Sequence, residues 1–109
     1  MEKRVADRQS TPAFRVHFRP RLASSPQLEG TGVLRDLSVF GCRIESSVTM
    51  IPDLSLTLRI EVPGLDSPLI IEGARVQWVS GQVFGLGAFR TTETERQRLG
   101  QVIMSLMGR

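Results

Sequence analysis

Hydrophobic and polar residues alternate along most of the chain from residue 13 onwards. This period of two is typical of β-strands that bury one face and expose the other. The clearest case is the segment 54–62, where leucine, isoleucine or valine occupies every second position and polar residues occupy the others. The same pattern, bounded by turn residues, predicts six strands. They lie near 14–19, 32–37, 42–45, 54–62, 69–79 and 83–90.

The segments between the strands carry residues that are typical of turns. The sequence PGLDSP at 63–68 is a strong turn signal. The alternation changes phase near Glu72–Gly73, which predicts a β-bulge. Gly41 ends the short connection between the second and third strands, and we expect it to adopt a positive φ there.

The end of the chain changes to a helical period. Thr92 and Glu95 predict a capping box, and the helix is expected over about residues 92–107. Four apolar residues recur on one face of this helix, namely Leu99, Val102, Ile103 and Leu106. Six short strands followed by one amphipathic helix predict a mainly β fold. We expect a six-stranded antiparallel barrel with the C-terminal α-helix packed on one opening.

The length and the charge distribution indicate how the chain is divided into an arm and a domain. With 109 residues, the chain is long enough for one domain. It contains 13 arginines and one lysine, and residues 1–21 carry six basic against two acidic side chains. We therefore expect a flexible basic arm at 1–12 and a single barrel domain at 13–109. A basic arm indicates an anionic partner, although an arginine excess also arises from genomic base composition.

The sequence lacks the clusters needed for catalysis or metal binding. His17 is the single histidine and falls on the polar face of the first strand, and Cys42 is the single cysteine and is expected in the core. A triad of Asp36, Ser38 and His17 would lack the G-x-S-x-G turn of a serine nucleophile. We therefore expect a non-enzymatic protein with no metal and no cofactor. No secretory signal or membrane-spanning run is present, so a cytoplasmic location without membrane insertion is expected.

The turn between the second and third strands carries the motif D-L-S-V-F-G. Its Asp36, Ser38 and Gly41, with an R-x-x-x-R motif upstream, resemble the PilZ family of cyclic di-GMP receptors. The resemblance covers about residues 3–107, including a tryptophan at Trp78, and implies a six-stranded antiparallel barrel with a C-terminal helix. It also implies that arm arginines wrap cyclic di-GMP against the barrel, while the Asp and Ser contact guanine or hold an arginine. Turn capping is the alternative role for the Asp and Ser.

Two arginine pairs match the R-x-x-x-R motif. Arg15 and Arg19 fall inside the first predicted strand, whereas Arg4 and Arg8 precede it as in the family, so we favour Arg4 and Arg8 as ligand-binding residues. The segment 9–13 that follows is longer than the family pattern, which leaves open a displaced arm or the loss of nucleotide binding. Arg15 and Arg19 are kept as residues that border the ligand or form a solvated strand face.

Arg43 and Trp78 are further candidates for contacts beside the ligand, with a solvent-facing arginine and a core tryptophan as alternatives. The leading hypothesis is a non-enzymatic cyclic di-GMP receptor in which binding orders the arm and alters interaction with a protein partner. The alternative is a PilZ-like protein-interaction module that has lost nucleotide binding. A nucleic-acid-binding barrel is a weaker third hypothesis, because the chain has no tyrosine and most of its phenylalanines are assigned to the core.

Overall fold

Six antiparallel strands close into a barrel, and one α-helix follows them. The computed structural model describes residues 9–21 and 26–108. The elements are β1 (Gln9–Pro20), a short 3-10 turn (Pro26–Leu28), β2 (Gly30–Leu37), β3 (Cys42–Glu45), β4 (Ser55–Glu61), β5 (Leu69–Ser80), β6 (Val83–Arg90) and α1 (Glu93–Met107). The strands pair in the order β1–β2–β3–β6–β5–β4, and β4 closes the ring against β1. The predicted six-stranded antiparallel barrel with a C-terminal helix is confirmed.

Alternate side chains of each strand fill the barrel interior. On β4, Leu56, Leu58 and Ile60 are fully buried, and the polar residues between them face outwards. Phe18 of β1 and Phe84 of β6 meet edge to face inside the barrel, with ring centroids 5.5 Å apart. The period of two in the sequence therefore separates the core from the outer surface, where any binding site on the sheet lies.

Cys42 and His17, the single cysteine and histidine of the chain, lie in the core and on the outer face of the barrel, respectively. Cys42 is fully buried, as predicted for a small core residue. His17 lies on the outer face of β1, where its Nε2 is 2.8 Å from Oε2 of Glu61 on β4.

The helix α1 contacts β1 and β5 and adds its apolar face to the barrel core. Thr92 is the N-cap residue, and its hydroxyl accepts a hydrogen bond from the backbone N–H of Glu95 at 3.2 Å. The carboxylate of Glu95 does not complete the predicted capping box. It accepts instead from the backbone N–H of Ile70 at 3.1 Å and from Arg98 at 2.9 Å. Glu95 therefore joins the helix to β5.

The first strand begins at Gln9, ahead of its predicted start. The register of β1 against β2 shifts between Ser10 and Phe14, because β1 has three residues there where β2 has one. Ala13 takes a φ of 54° within this bulge, a conformation that non-glycine residues seldom adopt. The segment 9–13, which looked too long for the family pattern, is therefore part of the strand, and its extra residues are accommodated by the bulge.

The bulge predicted near Glu72–Gly73 in β5 is confirmed. Leu56 of β4 lies opposite Ala74, and Leu58 lies opposite Ile71, so two β5 residues face one residue of β4. The extra residue explains why the alternation changes phase without turning the apolar side chains of β5 away from the core.

Candidate functional site

The connection between β2 and β3 is a tight turn organised by Ser38. The backbone N–H of Ser38 donates to the carbonyl oxygen of Gly41 at 2.8 Å. The hydroxyl oxygen of Ser38 accepts from the backbone N–H groups of Phe40 and Gly41, each at 3.1 Å. Ser38 is 4% exposed, so its hydroxyl is engaged inside the turn. Ser38 therefore caps the turn, which is the role that the sequence offered as the alternative to a contact with the ligand.

Gly41 is required for a different reason from the one predicted. Among the described residues, the glycines with positive φ are Gly64 and Gly81, so the expectation of a positive φ at Gly41 is wrong. A Cβ on Gly41 would instead collide with the backbone carbonyl oxygen of Leu86 on β6. The glycine allows β6 to approach the turn, and this depends on a strand distant in the sequence.

Asp36 and Arg43 form an ion pair beside the turn. The two residues lie opposite each other in the β2–β3 ladder, and Nε of Arg43 is 3.0 Å from Oδ2 of Asp36. The Asp36 side chain is 11% exposed, whereas that of Arg43 is 47% exposed. Within the described part of the chain, the terminal nitrogens of Arg43 have no hydrogen-bond partner. A mostly buried carboxylate thus orients a guanidinium group whose other donors are available to an anion or a base edge.

A row of side chains continues from Arg43 across the outer face of the barrel. Gly85 of β6 lies opposite both Arg43 of β3 and Trp78 of β5. The Trp78 indole covers Gly85, since a Cβ at that position would collide with the ring. Trp78 is 43% exposed, so the alternative of a core tryptophan is wrong. At about 4.8 Å per strand, the row from Asp36 to Trp78 spans about 14 Å.

The favoured arginine pair, Arg4 and Arg8, lies outside the described residues. The first described residue, Gln9, is opposite Leu37, which directly precedes Ser38 in the turn. The chain therefore enters the barrel beside the D-x-S-x-x-G turn.

The second arginine pair lies elsewhere on the barrel. Ser10 is the β1 residue opposite Asp36, and Arg19 lies nine positions further along the same strand. Arg15 and Arg19 both face outwards from β1, where their partners across the β4 ladder are Glu61 and Thr57. The fold does not bring either arginine to the row that runs from Asp36 to Trp78.

Two residues near the row were missed by the sequence analysis. Phe40 at the tip of the turn is 69% exposed, although most phenylalanines were assigned to the core. Its place in the four-residue connection between β2 and β3 is the signal that should have predicted exposure. Gly85 was not singled out, because its role as the surface on which Trp78 lies depends on the pairing of β5 with β6.

Membrane-spanning helices and metal-binding clusters are both absent from the described residues. None of the helices they form is long and apolar enough to cross a membrane. Within the same residues, no three histidine, cysteine or carboxylate side chains come together as a metal site.

Known structures resemble this barrel, whereas no family model and no curated protein matches the chain. The PilZ domain of CeSA from a cellulose-synthesizing bacterium has a TM-score of 0.70 and 17% sequence identity, covering 92% of this chain and 97% of that chain. The Bacillus subtilis inhibitor of motility MotI/DgrA has a TM-score of 0.69 and 18% identity over 90% of this chain. This chain covers 48% of MotI/DgrA, about half of its length.

An uncharacterized Legionella protein has the same architecture, with a TM-score of 0.60 and 15% identity over 93% of this chain and 94% of its own. At these identities the similarity establishes the fold. The chain has a PilZ-type β-barrel with a C-terminal helix. The fold implied by the D-x-S-x-x-G motif is therefore confirmed.

Proposed function

We propose that this protein is a non-enzymatic receptor for cyclic di-GMP. The observation that carries the proposal is the ion pair of Asp36 and Arg43 beside the D-x-S-x-x-G turn, in a barrel of the PilZ type. The ligand would lie along the outer row from Asp36 to Trp78. Arg4 and Arg8 would hold it from the N-terminal side. The proposal includes a cytoplasmic location and a protein partner that distinguishes the free and bound states.

The chemistry of the row matches the two kinds of group on the ligand. Each guanine presents O6 and N7 as paired acceptors, which suit the planar fork of an arginine. Each phosphate accepts charge-assisted hydrogen bonds, which are about twice as strong as neutral ones. The Arg43 guanidinium can supply such donors, and the half-exposed ring of Trp78 offers an apolar face against a base.

The position of β1 favours Arg4 and Arg8 over Arg15 and Arg19. Arg8 directly precedes Gln9, and adjacent Cα atoms are about 3.8 Å apart. Because Gln9 pairs with the residue before Ser38, we expect an arginine one position earlier to reach the turn. The long segment after Arg8 does not count against this choice, since the β1 bulge accommodates it.

Ser38 and Gly41 contribute to the proposed site by shaping the turn. The hydroxyl of Ser38 holds the backbone of the turn, and the missing side chain of Gly41 allows β6 to approach. They would act on the ligand indirectly, because the turn orients Asp36 and Arg43. Binding of the nucleotide would order the arm at a cost in affinity, and the ordered arm would present a new surface to the partner.

Titration calorimetry with cyclic di-GMP tests the proposal. We expect saturable binding, and we expect Arg8→Ala to weaken it by about 2–3 kcal/mol, the value of a lost hydrogen bond to a charged group. This corresponds to a dissociation constant about 30- to 150-fold higher. Arg19→Ala on β1 is the matched control, and for it we expect an unchanged affinity.

Two results would contradict the proposal. The absence of heat with protein at about 100 μM would exclude a receptor of useful affinity. A loss with Arg19→Ala and none with Arg8→Ala would show that the other arginine pair binds the ligand.

A PilZ-like interaction module without nucleotide binding is the second candidate. It is favoured by the partners that the site residues already have, since Ser38 is engaged in the turn and Asp36 is paired with Arg43. Nucleotide-independent association with a protein partner would support this candidate, and calorimetric binding of cyclic di-GMP would exclude it.

A further inference from the structure

The arginines of the described residues divide into two groups by their partners. Residues 9–21 and 26–108 contain ten arginines, and five of these lie within 4.0 Å of a carboxylate oxygen. In these described ranges, the other five have no such partner. They are Arg15, Arg19, Arg21, Arg59 and Arg90. Arg15 and Arg19 lie on β1, Arg21 directly follows it, Arg59 lies on the neighbouring β4, and Arg90 ends β6 opposite Gly73 of β5.

The strand register places three of these arginines on one surface. On β1, Arg15 and Arg19 are exposed and alternate with buried residues, so both face outwards. On β4, Arg59 is exposed between two buried residues, and it lies opposite His17 of β1. Arg59 is therefore diagonal to both β1 arginines across one pair of strands. Like charges at this spacing repel each other, and this favours the approach of an anion.

Arg21 and Arg90 extend this surface across β5. Their side chains meet over Gly73, where a Cβ would lie 3.4 Å from Cβ of Arg90 and 3.7 Å from Cδ of Arg21. The absence of a side chain at Gly73 lets both arginine stems lie on the strand while their charged ends extend towards solvent. We call the surface of Arg15, Arg19, Arg21, Arg59 and Arg90 the basic face.

The basic face contains a hollow of about 560 Å³. Arg19 and Arg59 border it, together with the hydroxyl-bearing Thr31 and Thr57 and the ring of His17. Glu29 also lines the hollow, and the Thr57 hydroxyl already donates to the carbonyl oxygen of Glu72 at 3.0 Å. Arg19 and Arg59 therefore supply the charge at a space large enough to accept a side chain from a partner.

We propose that the basic face binds a protein partner through an acidic segment rich in aspartate and glutamate. The five arginines, which have no carboxylate partner among the described residues, provide the charge complementarity, and the arginine fork matches a carboxylate in a bidentate geometry. The face also carries Glu61 on β4 and Glu72 on β5. An acidic protein segment can place a polar or basic residue opposite each of these carboxylates, whereas a nucleic-acid backbone is negative throughout.

Stacking chemistry also favours a protein over single-stranded nucleic acid. Exposed aromatic rings are the platforms on which single-stranded nucleic acids stack. Among the described residues, the exposed aromatic side chains are Phe40 and Trp78, and both lie near the row from Asp36 to Trp78. The basic face has neither. Its Arg15, Arg19 and Arg59 lie on β1 and β4, which are not neighbours of β3 or β6, and its Arg90 lies at the end of β6, five positions from Gly85. This inference goes beyond the nucleotide site and does not depend on it.

The test uses the full chain and a fluorescent poly-glutamate peptide, followed by fluorescence anisotropy over a range of salt concentrations. We expect binding that weakens as salt rises. The double variant Arg19→Glu and Arg59→Glu should bind the peptide at least about tenfold more weakly. The matched control carries the same change of charge at Arg35 and Arg96, arginines that each have a carboxylate partner. This control should keep binding within about twofold of the parent chain.

Circular dichroism checks that each variant is folded, and Arg19→Gln with Arg59→Gln replaces the reversal variant if the latter unfolds. No peptide binding, or equal losses in the two double variants, would overturn the proposal. The proposal would also be overturned if the chain bound a DNA duplex or phosphatidylglycerol vesicles more tightly than the peptide and the Arg19 and Arg59 variant lost that binding. That result would favour nucleic acid or a membrane surface as the partner. The cyclic di-GMP titration should be unchanged by this variant, so failure of one proposal is distinguishable from failure of the other.

Discussion

The substitution Gly41→Ala gives the sharpest test of how the D-x-S-x-x-G turn is built. The added methyl group would collide with the carbonyl oxygen of Leu86, and the Cα of Gly87 lies 3.3 Å from the same point. Both neighbours are backbone atoms of β6, so neither can rotate out of the way. Since Cys42, the next residue, is opposite Leu86 in the ladder, relief of the clash requires β3 to separate from β6.

The expected cost follows from the rigidity of this contact. Adding a methyl group to a well-packed site lowers the free energy of unfolding by about 1–3 kcal/mol. Because the neighbours here are backbone atoms that cannot move aside, we expect a loss in the upper part of this range, about 2–3 kcal/mol. With a urea m-value of about 1.5 kcal/mol/M, the unfolding midpoint should fall by about 1.3 to 2 M. Such a loss is a large part of the total stability of about 5–15 kcal/mol that is common for single domains.

Gly100→Ala is the matched control because it is the same chemical change in open space. Apart from the adjacent backbone of the helix itself, no atom lies within 4 Å of a Cβ at Gly100, in the interior of α1. Alanine is favoured over glycine in a helix by about 1 kcal/mol, so this variant should be more stable than the parent chain. The two substitutions should therefore shift the urea midpoint in opposite directions.

A third variant separates the steric explanation from a conformational one. Asparagine tolerates positive φ better than alanine, but it is larger. If the collision with Leu86 is the cause, Gly41→Asn must destabilise at least as much as Gly41→Ala. An asparagine variant more stable than the alanine variant, or an alanine variant that loses less than about 0.5 kcal/mol, would refute the steric argument.

Two further predictions concern the same surface. Ser38→Ala removes the acceptor for the backbone N–H groups of Phe40 and Gly41. It should lower the free energy of unfolding, measured in urea, by about 1–3 kcal/mol. A variant as stable as the parent would show that water replaces the hydroxyl. Trp78→Ala should weaken cyclic di-GMP binding by about 1–3 kcal/mol, the range for base stacking on an aromatic side chain, as measured by calorimetry. An unchanged dissociation constant would remove Trp78 from the proposed site.

The fold follows from local patterns wherever alternation is regular. The segment 54–62 predicts β4 because every second residue is apolar, and the phase change near Glu72–Gly73 predicts the β5 bulge. The first part of β1 was not predicted, because residues 9–13 contain no alternation and Pro12 resembles a boundary. Its pairing with β2 depends on contacts far apart in the sequence, which periodicity does not encode.

The candidate site required the strand register as well as the motif. Asp36 was identified through the family resemblance, but its pairing with Arg43 follows from the β2–β3 ladder. The contact of Trp78 with Gly85 needs the pairing of β5 with β6, across an irregular register. A turn motif specifies its own hydrogen bonds, as at Ser38, whereas the surface around it is assembled by strands from the rest of the chain.

The arginine excess, which first suggested one anionic partner, is better divided between two surfaces. Arg4 and Arg8 precede the point where β1 meets the turn, whereas Arg15 and Arg19 face outwards further along that strand. β1 therefore runs from the turn, beside which it begins, to the basic face, and the bulge around Ala13 lies between these two points. If nucleotide binding alters partner binding, β1 is the covalent route between the sites, and Arg8→Ala should abolish the effect of nucleotide without changing peptide affinity in its absence. If the surfaces act independently, the peptide affinity is the same with and without cyclic di-GMP, and the arm rather than the basic face carries the response to the ligand.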